Sequence, residues 1–358
     1  MKRVKIPFIV ATFFCSSLCH AQLTAWDAKP ILHITAAEFA KESAVILLDE
    51  RIHEYKTDSK KEIYVQLTNH RLVKVMDDKG VELFNRIYIP YYANAEVFDI
   101  KARTIQPDGR VVDLPADKIL DVEEDGKRYK KFALEGVEKN SEIEYSYQVK
   151  KDIYYFGVEM FQYSNVPFEK AIFKLVVPEH LKFTVKGSNG FVVEKETVED
   201  GKRITNAKAT NLPGLDDEKY AETGPYSGNI QYKLSYNLAR DKDVRLFTWN
   251  ELAKRIYTSN TNFTDKELKA AGDFVKQIGI KESASEEEKI IALEAYIKQN
   301  INSDKEGIGE DANKIEKIVK TKLASEDGVN NLFTACFEKL GINYQIVFPS
   351  KRDDLPID

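Results

Sequence analysis

The stretch Glu142-Ile-Glu-Tyr-Ser-Tyr-Gln-Val149 alternates strictly, with Ile143, Tyr145, Tyr147 and Val149 on one side and Glu142, Glu144, Ser146 and Gln148 on the other. Successive side chains of an extended chain point to opposite faces, so this stretch predicts a β-strand with one buried face and one wet face. Tyr232, Leu234, Tyr236 and Leu238 repeat the pattern against Lys233, Ser235 and Asn237. Period two prevails from residue 44 to residue 238. Turn signals interrupt it at Asp78-Lys79-Gly80, Pro107-Asp108-Gly109, Asp125-Gly126 and Asp200-Gly201, each able to supply the positive φ of a hairpin. Prolines 90, 107, 115, 167, 178 and 213 fall between or at the ends of the runs, as strands require. An antiparallel β-sandwich over residues 44–240 follows, with the breaker-rich segment 211–228 looping over its edge before a last strand.

Beyond residue 245 the period lengthens. Trp249, Leu252, Ala253 and Ile256 are spaced for a helix, and Leu268 to Ile278 predicts a second. Ser285-Glu-Glu-Glu288 is a capping box, in which Ser285 accepts from a free backbone N–H and Glu288 reaches back. The helix it opens aligns Ile290, Leu293, Ile297 and Ile301. The expected class is therefore multidomain α+β: a β-sandwich at 44–240, then a mainly helical lobe at 245–358.

At the N-terminus, Met1-Lys-Arg-Val-Lys5 is basic, residues 6–18 are almost wholly apolar, and Cys19-His20-Ala21 ends in the small residues of a cleavage site. Residues 1–21 read as a secretory signal peptide cut before Gln22, with 22–43 as a lead segment. The apolar run is too short to span a bilayer, so no membrane span is expected after cleavage, and the location is the periplasm or cell envelope of a Gram-negative bacterium. Cys15 and Cys19 leave with the signal, so Cys336 is the lone thiol and no internal disulfide can form. The net charge of −5 and the lack of any basic run argue against nucleic acid.

Cys336 lies in Ser325-Glu-Asp-Gly-Val-Asn-Asn-Leu-Phe-Thr-Ala-Cys-Phe-Glu-Lys-Leu-Gly-Ile342. Val329, Leu332, Phe333, Cys336, Phe337 and Leu340 form one apolar face of a helix, which Gly341 ends before a predicted strand from Ile342 to Phe348. A reactive thiolate wants a helix N-terminus, a cation or a histidine, and access to solvent, so Cys336 reads as helix core.

Here a resemblance enters. Glu286-Glu-Glu-Lys-Ile-Ile-Ala-Leu-Glu-Ala-Tyr-Ile-Lys-Gln-Asn-Ile301 resembles the helix that opens bacterial transglutaminase-like domains, and Asn331 to Val347, with its Leu-Gly-Ile turn, resembles that family's central helix and first strand. Ala102-Arg-Thr-Ile-Gln-Pro-Asp-Gly-Arg-Val-Val112 is similar to the uncharacterised β-rich domain that precedes such domains in exported proteins of Bacteroidetes-type bacteria. The resemblance implies a papain-like arrangement, with a cysteine at the first turn of the central helix and a histidine and an aspartate on later strands. Counting back from Gly341 places Glu326 at the nucleophile position, where a carboxylate suits the positive end of the helix but cannot replace a thiol. His20, His33, His53, His70 and His180 all precede the helical lobe, and the lobe is expected to be incomplete at Asp358.

Other signals are weaker. The doublets Tyr91-Tyr92 and Tyr154-Tyr155 offer rings that could stack on sugars, although tyrosine is also a favoured strand residue. Residues 304–311 are acidic but miss the calcium-loop spacing, Gly187-Ser-Asn-Gly190 precedes a strand where a phosphate cradle precedes a helix, and no zinc spacing occurs, so no metal or cofactor is expected. The sequence thus points to an exported, non-catalytic binding or assembly protein whose partner is a protein, peptide or glycan of the envelope. The rivals are a cysteine peptidase or acyl transferase using Cys336, and a carbohydrate-binding module using Tyr91, Tyr92, Tyr154 and Tyr155.

Overall fold

The computed structural model describes residue 26 and residues 29–34, 37–124, 126–216, 219, 222–242, 244–303 and 310–349. The expected signal peptide, the acidic segment 304–309 and the tail 350–358 lie outside the described residues. The protein is a mixed α+β molecule with a large β-rich N-terminal region and a helical C-terminal part, and its chain divides into two compact units, Met1–Lys242 and Asp243–Asp358.

The first unit carries β1 (Ala44–Thr57), β2 (Ile63–Val75), α1 (Asp78–Phe84), β3 (Arg86–Tyr91), β4 (Glu96–Ile105), β5 (Val111–Asp113), β6 (Leu120–Glu124), β7 (Lys127–Ala133), β8 (Glu142–Asp152), β9 (Phe156–Phe161), β10 (Phe168–Pro178), β11 (Leu181–Ser188), β12 (Val192–Val193), β13 (Thr197–Glu199), β14 (Lys202–Leu212) and β15 (Gly228–Asn237). One large sheet runs β12-β14-β10-β1-β2-β8-β4-β5, with β13 also on β14. A three-stranded sheet, β11-β15-β9, packs on one of its faces. There Phe173 of β10 stacks on Tyr232 of β15, and Tyr55 of β1 meets Phe183 of β11. A second small sheet, β3-β7-β6, is hydrogen-bonded to neither.

The turn chemistry explains most connections. Gly109, with φ of +85°, closes the β4–β5 hairpin, while Asp200 and Gly201 both take positive φ between β13 and β14. Four expectations need correction. The sandwich is not wholly antiparallel, because β1 pairs in parallel with β10 from Ile46↔Phe168 to Glu54↔Val176. Residues far apart in sequence set this pairing, so local alternation carries no trace of it. Asp78-Lys79-Gly80 is not a hairpin turn; Asp77 caps α1 by accepting from the Gly80 N–H, and a Cβ on Gly80 would lie 2.0 Å from the Ser43 carbonyl oxygen. The supposedly wet face of β8 is dry at its start, with Glu142 at 0% and Glu144 at 6% exposure. Finally, Ile342 to Phe348 runs outside any strand, since no neighbour among the described residues pairs with it.

The second unit carries α2 (Trp249–Thr261), α3 (Asp265–Ile278), α4 (Glu286–Asn300), α5 (Ile315–Thr321) and α6 (Glu326–Leu340). Full capping boxes open α2, α3 and α4 at Thr248, Thr264 and Ser285. Gly279 and Gly341 end α3 and α6 in the left-handed conformation. Phe274, Leu293, Ile297, Ile315, Ile318 and Leu332 form the core. Among the described residues no helix is long and apolar enough to cross a membrane.

Candidate functional site

At the start of α6 the Ser325 hydroxyl accepts from the Gly328 N–H, which puts Glu326 in the first turn, where the helix dipole favours a negative charge. Cys336 sits further along on the inner face, with no exposure, among Ala271, Phe274, Leu293, Leu332 and Ala335. Burial pushes its thiol up to about 12. At neutral pH the sulfur is therefore a protonated, enclosed hydrophobe and has no nucleophilic character.

The tyrosine doublets split between two roles, Tyr91-Tyr92 at the end of β3 and Tyr154-Tyr155 in the bend between β8 and β9. Tyr154 turns inward, its hydroxyl 2.9 Å from His53 Nδ1 and its ring beside Tyr55 and Tyr232. Tyr91 donates to the carboxylate of Asp121. Both hydroxyls are thus engaged within the fold, Tyr154 inside it and Tyr91 at the surface of its sheet. Tyr92 and Tyr155 are exposed, at 82% and 42%.

Two ionic clusters flank the large sheet, and both escape the sequence reading. Between the sheets, Asp49 accepts from Arg51 Nε at 3.1 Å and Arg71 Nε at 3.1 Å. Burial alone would raise Asp49, but the two guanidiniums overcome it and hold the carboxyl at about 2. Arg51 also donates to Glu159 at 2.9 Å and lies over the Phe161 ring. Beside it, His53 Nε2 is 3.3 Å from Glu159. Burial, with Lys151 and Arg51 adding to it and Glu159 opposing, lowers His53 to about 4, so it is neutral at pH 7. The Tyr154 hydroxyl then donates to Nδ1 while Nε2–H faces Glu159. The signal for this cluster is Asp49-Glu-Arg51 set inside the apolar run of β1.

On the opposite face, Glu144 is 2.8 Å from His70 Nε2 and accepts from Arg103 Nε at 2.6 Å. Burial raises Glu144 and these two partners outweigh it, for a net lowering. Glu142 pairs with Lys74 at 3.3 Å and accepts from the His33 backbone N–H at 2.6 Å, with the His33 ring at 2.9 Å. Trp26 lies over the Arg103 guanidinium at 4.2 Å. Trp26 and His33 thus lie on this polar face.

Two of the open cavities among the described residues are large enough to matter for binding. One, of about 390 Å³, lies where Val112, Leu114 and Pro115 face Leu120 and Phe132, with Arg86 and Lys118 at its edge. The other, of about 540 Å³, lies in the helical unit between α3 and α6, bordered by Lys269, Lys276, Lys281, Lys289 and Lys339. Both have the volume of small-ligand sites. Among the described residues no group of three or more His, Cys, Asp or Glu could hold a metal ion.

Against this geometry the comparisons are specific. Residues 64–215 match the domain of unknown function DUF3857, a family with a solved structure. The match starts on β2 and ends after β14, so it takes in most of the large sheet but not β1. The crystal structure of a "putative protease" from Parabacteroides distasonis is similar at a TM-score of 0.54 and 13% identity, over 84% of this chain and 59% of that one. The likeness shows a shared fold, and this chain spans about three fifths of that structure's length. An M1 zinc metallopeptidase from Deinococcus radiodurans aligns over 54% of this chain and 43% of its own, at 8% identity and a TM-score of 0.29. No curated protein matches the chain.

Proposed function

We propose that this chain is an exported, non-catalytic binding or assembly protein of the cell envelope, whose helical unit is a degenerate transglutaminase-like lobe. The observation that carries the reading is the enclosed sulfur of Cys336 on a helix whose first turn bears Glu326. A carboxylate there suits the positive end of the helix that Ser325 caps, but it does not do the work of a thiolate nucleophile. His33, His53 and His70 each face a carboxylate, while the exposed rings of Tyr92 and Tyr155 and the two cavities are surfaces fit for a peptide or glycan. Fold likeness to the Parabacteroides structure favours a second reading, a cysteine peptidase or acyl transferase acting through Cys336, and that reading requires the sulfur to reach solvent.

The test is alkylation with iodoacetamide, beside hydrolysis of a quenched-fluorescent casein by wild type and Cys336→Ala. The expected result is no modification of the native chain, full modification in guanidinium, and no Cys336-dependent hydrolysis. Native labelling at the rate of a free thiol, or hydrolysis lost in Cys336→Ala, overturns the proposal.

A further inference from the structure

The cavity between α3 and α6 is cationic in a chain whose net charge is −5. Lys269, Lys276, Lys281, Lys289 and Lys339 line it against Asp265, Asp273 and Glu282, an excess of two positive charges. Lys276 comes only within 4.0 Å of Asp273, and among the described residues the other four lysines form no ion pair. Helix dipoles explain two of the five, because Lys276 and Lys339 stand in the last turns of α3 and α6, where a cation is favoured. They do not explain the rest. Lys269 is in the first half of α3, Lys281 follows the Gly279 cap, and Lys289 is half-buried one turn inside α4, towards its positive end. A half-buried ammonium without a carboxylate is stabilised by a bound anion. The Lys339 stem lies along Gly272, its carbons 3.7–3.8 Å from where a Cβ would stand, and so reaches from α6 onto α3.

Apart from Gly272, the rest of the lining is apolar: Leu268, Val275, Ile280 and Leu340, around a volume of about 540 Å³. Every cation in the lining is a lysine. A guanidinium fork matches a planar carboxylate, whereas separate ammonium charges can surround a tetrahedral phosphate. A phosphate monoester carries about −1.5 to −2 at neutral pH, which matches the excess of two, while a carboxylate leaves one charge unmatched. We propose that this cavity binds a small phosphate monoester with an apolar organic part, the phosphate among the lysines and the organic part against Leu268, Val275, Ile280 and Leu340. This assignment rests on the binding function proposed above and gives it a ligand class.

Isothermal titration calorimetry on the full chain at neutral pH compares 1-naphthyl phosphate, 1-naphthol and inorganic phosphate, so that charge and ring are tested apart. The expected result is a Kd below about 1 mM for 1-naphthyl phosphate, at least about tenfold tighter than for either of the others. Lys281→Gln with Lys289→Gln weakens it at least about tenfold, since two charge-assisted contacts are lost. Lys298→Gln with Lys320→Gln removes the same charge from exposed lysines outside the cavity and leaves the affinity within about twofold. The proposal is overturned if wild type does not bind 1-naphthyl phosphate, if inorganic phosphate or 1-naphthol binds as tightly, if the cavity pair binds like wild type, or if both pairs weaken it equally. The wild-type comparison of the three compounds depends on no variant. Failure to bind in a chain whose Cys336 resists iodoacetamide strikes the ligand class and leaves the non-catalytic reading standing, whereas native labelling of Cys336 strikes that reading and leaves this site.

Discussion

His53 makes the stability of the β-rich unit depend on pH in a calculable way. Its ordinary value of 6.5 falls to about 4 in the folded protein because burial disfavours the imidazolium. Between those values the unfolded chain binds a proton that the folded chain refuses, so stability rises with pH in this window and is lost on acidification. At about 1.4 kcal/mol per unit, the contribution lost between pH 7 and pH 4 is about 3 kcal/mol. The depressed carboxylates, led by Asp49, act mainly below this window, as pH falls from 3.8 towards about 2. Guanidinium unfolding of wild type and His53→Gln at intervals from pH 7 to pH 4 isolates the histidine. The variant starts less stable, having lost contacts to Tyr154 and Glu159, but its stability declines by about 3 kcal/mol less across the window. Equal declines in the two proteins would refute the reasoning, because a buried neutral histidine cannot be replaced by a non-titrating residue without flattening the profile.

Asp49→Asn leaves Arg51 and Arg71 without their shared carboxylate and lowers stability by about 3–5 kcal/mol in chemical denaturation; a loss below about 1 kcal/mol contradicts the cluster. Gly80→Ala drives a methyl into the Ser43 carbonyl, and the displacement of α1 costs about 1–3 kcal/mol, read as a fall in the denaturation midpoint at unchanged slope. Tyr154→Ala costs about 3 kcal/mol, whereas Tyr92→Ala and Tyr155→Ala each cost less than about 1 kcal/mol. Comparable losses for all three would mean that the doublets do not alternate between core and surface.

The helical unit was the more legible of the two. Thr and Ser caps with Glu three residues on, a left-handed glycine at Gly341 and an apolar stripe through Cys336 are all local features, and a helix is held by local hydrogen bonds. The strand after Gly341 failed because a strand, unlike a helix, cannot pair with itself. In the β-rich unit the strands were legible but their arrangement was not. The parallel β1–β10 pair joins segments more than a hundred residues apart, and no periodicity in either one records its partner. Asp78-Lys79-Gly80 reads as a turn because turns and helix N-termini share the same residue types, and only the capping by Asp77 and the close approach of Ser43 to Gly80 distinguish them here.

The sequence by itself determined most of the strand and helix spans, α1 and residues 342–348 excepted, that the thiol would face its helix's apolar side, and that the strands would have two unlike faces. The tertiary structure alone decided what each face would meet: Asp49 the arginines between the sheets, Glu142 a histidine 109 positions earlier in the chain. The physical reason is that periodicity sorts side chains by face through bonds and dihedrals within a few residues. Whether a polar face ends in water or under a distant segment depends on contacts that close long loops, and these leave no local mark.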